Sequence, residues 1–483
     1  MAKTLFNSSE KSNFILNLTE EKYAKMASFG MLAACFAVSI FTIPAECFTT
    51  VTYSFAAGGL AVSGVICLIL AIIAFIKKYV NRASVLPVAA FGAMVLWGVI
   101  SLINGYDHTV SFYGFPQRGE GLLAIIFYFC FFVTAASIKR EKALKTLING
   151  IIGVGLLNSA WGLMQILTGK FTAYKSISVL FDTAPAAGLS QSPIFLAMIL
   201  TLSLTAALIG AIMSDSKKRA VFCIVSSCIF SFTMILTYTL VGICGIAFGI
   251  ISAVITVFFV KASKKKLLSI VGVLASAALA VILAVTGVVG NEKSYRLYDG
   301  YILWSMDGYQ RTGASGMYNA EIVDISNTKD IYFFLNNKTI EIIKNHPLTG
   351  TGPEQLIYPQ LTKNSNVDKP IDSVILDNPG TFDKVYNEYL YTAATRGIPS
   401  LIALLAVILT TLYFGIKNMK RLRSEVSVCL LFMTLGGAII FLIGCSNIAF
   451  SPIFWAVAGG TWAICGESKS ENKKSTSKTY ADS

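Results

Sequence analysis

Long apolar runs alternate along this chain with short basic clusters. The runs lie near residues 27–48, 55–76, 84–103, 119–138, 146–166, 188–212, 220–237, 241–260, 267–289, 389–416, 426–445 and 448–465. Most reach the ~20 residues that a helix needs to cross ~30 Å of hydrocarbon at ~1.5 Å per residue. The pattern predicts an all-α integral membrane protein with about 12 transmembrane helices. The least marked boundary separates the seventh and eighth runs, near Thr237–Leu240.

Charge orients the predicted helices. One set of alternate connections holds Lys77, Lys78 and Arg82; Lys139, Arg140, Lys142 and Lys145; Lys217, Lys218 and Arg219. It continues with Lys261 and Lys264, Lys265 and Lys266, then Lys417, Lys420, Arg421 and Arg423. The short connections of the other set hold only Arg118, Lys170 and Lys175. Basic residues mark the cytoplasmic side, so both termini are expected there. The expected organisation is a cytoplasmic tail at 1–26, nine membrane helices within 27–289 and a large external loop at 290–388. Three more helices follow within 389–465, then a polar, disordered cytoplasmic tail at 466–483.

Composition supports a membrane protein: 55% of residues are hydrophobic and only 13% charged, against about a quarter charged in a soluble domain. The net charge of +13 would suggest nucleic acid in a soluble protein. Here the cations sit at the ends of apolar runs, where they determine topology, so no nucleic-acid partner is expected. The ten cysteines fall in or beside apolar runs, with no CxxC metal site and no disulfide framework. No metal or cofactor is expected. The polar first 25 residues lack the basic start and apolar core of a cleaved signal peptide.

The segment 290–388 is rich in Tyr, Asn, Asp and Gly and too long for a passive connection. Thr339 to Asn345 predicts part of an amphipathic helix, ended by Pro347 and Gly350. Ionisable residues at a membrane face are functional candidates, because burying charge in hydrocarbon is costly. The stretch Phe112-Tyr-Gly-Phe-Pro-Gln-Arg-Gly-Glu-Gly121 brings Arg118 and Glu120 to the start of the fourth span. Arg118 suits bidentate phosphate binding; it also fits an interfacial arginine, or an Arg–Glu pair that pins the helix. His346 is one of two histidines and suits a general base near neutral pH, or a contact at a helix C-terminus. Tyr386, Asn387 and Glu388 stand where the loop re-enters the membrane. They suit positioning of a hydroxyl, or an interfacial aromatic with polar neighbours.

Taken together, these stretches resemble the O-antigen ligase/polymerase superfamily of bacterial envelope enzymes. The resemblance rests on Arg118-Gly-Glu-Gly-Leu-Leu123, His346-Pro-Leu-Thr-Gly-Thr-Gly-Pro353, Tyr386-Asn-Glu-Tyr-Leu390 and Arg396-Gly-Ile-Pro-Ser-Leu401, in that order. Pro452-Ile-Phe-Trp455 and Gly162-Leu-Met-Gln165 add to it, and it covers about residues 85 to 465. It implies a metal-independent glycosyltransferase of the bacterial cytoplasmic membrane. Such an enzyme moves a glycan from a polyprenyl diphosphate carrier to a glycan or other envelope acceptor on the outer face. His346, Tyr386, Asn387 and Glu388 then become candidates for catalysis, and Arg118, Glu120, Arg296, Arg311 and Arg396 for substrate binding.

The chain departs from the family pattern twice. The family's His before Asn is Tyr386 here, and a tyrosine with a pKa of about 10 is a poor base. The arginine that the family often places before the Pro-Leu-x-Gly stretch is missing at that spacing, where Lys329-Asp330 and Phe333-Phe334 stand. Arg296 or Arg311 is the candidate replacement. Two rival readings remain: a polytopic transporter of envelope precursors, and a family member that has lost activity. Transporters usually place ionisable residues near the midplane, whereas the charges here concentrate at span ends.

Overall fold

The computed structural model describes residues 17–42, 56–105, 107–114, 119–168, 186–190, 192–260, 268–286, 325–356 and 384–465. Every regular element among them is helical. They are α1 (Glu20–Phe41), α2 (Ala56–Ile76), α3 (Val85–Ile103), α4 (His108–Tyr113), α5 (Leu122–Ala136), α6 (Glu141–Thr168) and α7 (Pro193–Met213). Then come α8 (Lys217–Ile235), α9 (Leu240–Val260), α10 (Leu268–Val285), α11 (Ile325–Asn345), α12 (Glu388–Leu422), α13 (Glu425–Ile440) and α14 (Ser451–Ala463). A helix overlaps each of the twelve apolar runs. Eight are long and apolar enough to cross a bilayer: α1, α2, α3 with its preceding turn, α6, α7, α8, α9 and α12. The helices α5, α10 and α13 are apolar but shorter.

Side-chain caps fix several helix starts. Thr19 caps α1, which therefore starts seven residues before the apolar run at 27. Ser192 caps α7 with Pro193 in its first turn, and Ser424 caps α13. The break near Thr237–Leu240 is real: α8 stops at Ile235, Tyr238 adopts a left-handed conformation and α9 starts at Leu240. The short helix expected to end at Asn345 is the last part of the longer α11.

Helix α7 is apolar on all sides and almost wholly buried, as the central helix of a bundle must be. It packs on α6, α8, α9 and α13. At the periphery, α2, α3 and α10 expose large apolar residues such as Val62, Leu86 and Leu274, a surface suited to lipid and costly in water.

Polar contacts identify the two ends of the bundle. At one end, Glu425 at the start of α13 pairs with Lys145 in α6 at 2.9 Å and with Arg219 in α8. At the other end of α13, the carbonyls of Phe441 and Gly444 accept from the backbone N–H of Glu388, the first residue of α12. The second end also gathers the start of α5 and the start of α14.

Candidate functional site

Helix α12 carries a sequence conflict that builds this second end. Gly397 breaks its helical geometry at φ +80°, ψ 164°, and Pro399 follows. Proline has no N–H to give the carbonyl four residues back, Thr395. Ile398 N donates instead to Pro347 O at 2.8 Å, so it does not serve Ala394 O. Two buried carbonyls thus need donors from elsewhere. The turn after α11 supplies them: Thr351 N donates to Ala394 O at 3.0 Å and Gly352 N to Thr395 O at 2.9 Å. Ser101 of α3 adds its hydroxyl to Thr395 O at 2.7 Å, and Trp97 Nε1 donates to Leu348 O at 2.6 Å. The stretch 347–353 is therefore clamped onto the kink of α12. Gly397 faces the Leu348 carbonyl so closely that a Cβ would overlap it.

This clamp positions a buried cluster of charge. Lys384 pairs with Glu120 in a short contact, stands 3.5 Å from Glu354 Oε1 and donates to Ser446 O at 2.9 Å. Tyr128 OH donates to Glu120 Oε1 at 3.0 Å, and Tyr391 OH to Glu354 Oε1 at 3.1 Å. The Lys384 ammonium also lies 5.1 Å from the centre of the Tyr391 ring. Within α12, Arg396 Nη2 donates to Glu388 Oε1 at 3.2 Å and to Thr392 Oγ1 at 2.6 Å. Ser446 N donates to Glu388 Oε2 at 2.8 Å.

All five charged residues are at most 7% exposed, and among them three carboxylates face two cations. Burial opposes the charge on Lys384, but Glu120, Tyr391 and Glu354 outweigh it and hold its pKa well above the usual lysine range. The ammonium is therefore charged at neutral pH. Four of the charged residues, Glu120, Glu354, Glu388 and Arg396, line one cavity together with Tyr128, Tyr391 and Trp455.

The structure thus brings together Glu120, Glu388 and Arg396 of the residues singled out from the sequence. Asn387 caps α12, its Oδ1 accepting from Tyr389 N and Leu390 N at 3.1 Å. Tyr386 is buried in the apolar core. His346 is exposed on the turn after α11, where its carbonyl accepts from Gly350 N at 3.0 Å. Arg118, Arg296 and Arg311 lie outside the described residues.

Sequence reasoning missed Glu354 and Lys384. Glu354 follows directly on Pro353, the last residue of the family-like stretch, and Lys384 lies two residues before Tyr386. Proximity to those stretches was the available signal. Gln165, from the weaker match in α6, holds the loop before α7: its Oε1 accepts from Ala187 N and Gly188 N, and its Nε2 donates to Gly188 O.

Residues 225–405 match the family model described as O-antigen ligase. This interval runs from within α8 through the kink of α12 and includes Glu354, Lys384, Glu388 and Arg396. No curated protein matches the chain.

Proposed function

We propose, from the match of residues 225–405 to the O-antigen ligase family model, that the chain is a membrane glycosyltransferase working on a polyprenyl-diphosphate-linked glycan at the outer face of the bacterial cytoplasmic membrane. The acceptor is a glycan or another envelope molecule, and both chain termini are cytoplasmic. The reaction is independent of metal. The observation that carries the reading is the buried charge cluster at one bundle end, built from residues in the family-like stretches and directly beside them.

In this reading the acceptor hydroxyl attacks the anomeric carbon of the donor sugar. The bond from that carbon to the diphosphate oxygen breaks, and the electron pair leaves with the carrier diphosphate. Cations near the headgroup level stabilise the departing charge. Lys384 and Arg396 are already matched by three carboxylates, so the anionic donor needs further cations. Arg118, two residues along the chain from Glu120, serves this role with Arg296 or Arg311. Donor charge drawn into the low-dielectric headgroup region makes such contacts stronger than in water. The polyprenyl tail lies along the apolar helices.

Arg118→Ala tests this reading. The expected result, measured with a radiolabelled lipid-linked oligosaccharide in membranes carrying equal amounts of each protein, is at least a roughly 100-fold loss of transfer. Wild-type transfer by this variant would remove Arg118 from the site.

A further inference from the structure

We propose that the turn after α11 reaches into the bilayer, with Leu348 among the lipid acyl chains, although it belongs to the segment 290–388 expected outside the membrane. The occupant of this surface is lipid. The leaflet concerned is the one at the bundle end that holds the charge cluster, whichever side of the membrane that end faces. The proposal stands independently of the transferase reading.

Hydrogen bonds to two helices fix the depth of the turn. Both helices, α3 and α12, are long and apolar enough to cross a bilayer. Leu348 O accepts from Trp97 Nε1 at 2.6 Å. Trp97 lies six residues before Ile103, the last residue of α3. At ~1.5 Å per residue its Cα is roughly 9 Å inside that helix end. Helical side chains lean toward the helix N-terminus, which for α3 is away from this end of the bundle. The turn therefore comes down to the indole. On α12, Pro347 O accepts from Ile398 N at 2.8 Å, just past the Gly397 break.

The surface around the turn is apolar. Leu348 is 64% exposed. Helix α3 exposes Leu96, Val99 and Ile103 beside it, and α12 exposes Ile398 and Ile402. A lone exposed leucine needs no explanation, but this one continues the outer faces of two membrane helices. A contiguous apolar surface of that kind suits lipid and is costly in water. The residues just before the tip, Lys344, Asn345 and His346, are also exposed. The chain thus changes from polar to apolar as it would on passing from headgroups into hydrocarbon.

The backbone at the tip is arranged for a site without water. Carbonyls in hydrocarbon must find donors within the protein. His346 O accepts from Gly350 N at 3.0 Å, Pro347 O from Ile398 N and Leu348 O from Trp97 Nε1. Pro347 has no N–H to satisfy. Further along the same stretch, Pro353 and Glu354 line the charge cavity. The turn thus has lipid on one side and the cavity on the other.

Depth is measured on the full-length protein in lipid nanodiscs. A nitroxide is attached at Leu348→Cys, with the native cysteines replaced by alanine, and its collisions with oxygen and with a water-soluble nickel chelate are compared. Leu96→Cys serves as the lipid reference and Glu341→Cys, at an exposed position of α11, as the water reference. The label at position 348 should favour oxygen, as at position 96, and lie at least about 5 Å below the lipid phosphates. Leu348→Trp in the otherwise native protein gives a second reading that needs no cysteine removal. Its added emission should be quenched by lipids brominated in their acyl chains and not by acrylamide in the water. A label at 348 that behaves as at 341, or one that neither collider reaches because protein covers it, would overturn the proposal. Added emission quenched by acrylamide alone would do the same.

Discussion

Replacing Lys384 by methionine is expected to destabilise the protein by about 3–5 kcal/mol, the usual cost of removing one partner from a buried ion pair. Lys384 is 6% exposed and meets Glu120 and Glu354, which are 7% and 1% exposed. Methionine fills a similar volume, so the loss reports charge and not a cavity. Two neighbouring carboxylates, with Glu388 nearby, would then lie buried without the ammonium. Thermal unfolding in detergent, following loss of the folded monodisperse species, measures the effect. Adding Glu120→Gln to Lys384→Met should recover part of the loss, because it removes one of the stranded charges. The double variant should therefore be more stable than the sum of the single losses. Strict additivity, or an unchanged Lys384→Met, would show that the cluster is not electrostatically coupled.

The second large effect concerns Gly397. Its φ +80°, ψ 164° belongs to a region open essentially to glycine alone, and an added methyl would run into the Leu348 carbonyl. Gly397→Ala should cost about 1–3 kcal/mol in backbone strain alone. It should also displace the turn that Ile398 N and Gly352 N hold. Because that turn carries Glu354 into the cavity, transfer should fall about 100-fold if the cavity is the reaction site, the scale of a misplacement of about 1 Å in a catalytic geometry. Gly58→Ala in α2 is the matched control, since nothing lies within 4 Å of its added methyl. Thermal unfolding and transfer rates on the two variants separate a local strain effect from a general intolerance of alanine. Equal behaviour of the two would contradict the clamp.

The helices were legible in the sequence because hydrophobicity acts locally. A run of apolar residues long enough to cross a bilayer must satisfy its own backbone, and a helix does so within the segment. The helix ends were less legible. The signals that set them, such as the Thr19 cap, lie in polar stretches beyond the apolar run. The site was legible only in part, for a different reason. Glu120 and Lys384 are 264 residues apart in the chain, and no periodicity connects them. Only folding the starts of α5 and α12 to the same end of the bundle makes them partners. Glu120, Glu388 and Arg396 emerged because each lies inside a stretch with family resemblance. Glu354 did not, because its distinctive feature is a left-handed backbone rather than an unusual residue type. His346 drew notice as a rare titratable residue, yet it occupies the exposed turn beyond the cavity.

The kink of α12 shows how sequence and site connect. Gly397-Ile-Pro399 falls inside the apolar run 389–416, and the helix from Glu388 to Leu422 passes through it with a break at Gly397. Two carbonyls freed at the kink take their hydrogen bonds from the glycine-containing turn. Satisfying those carbonyls and placing Glu354 in the cavity are therefore one structural event.

The most direct test of glycan transfer uses the purified protein in sealed vesicles with radiolabelled lipid-linked oligosaccharide and acceptor. Label should pass to the acceptor while the unlabelled carrier diphosphate is released. Label that gathers inside the vesicles still attached to its carrier, with none on the acceptor, would contradict the account and identify a transporter.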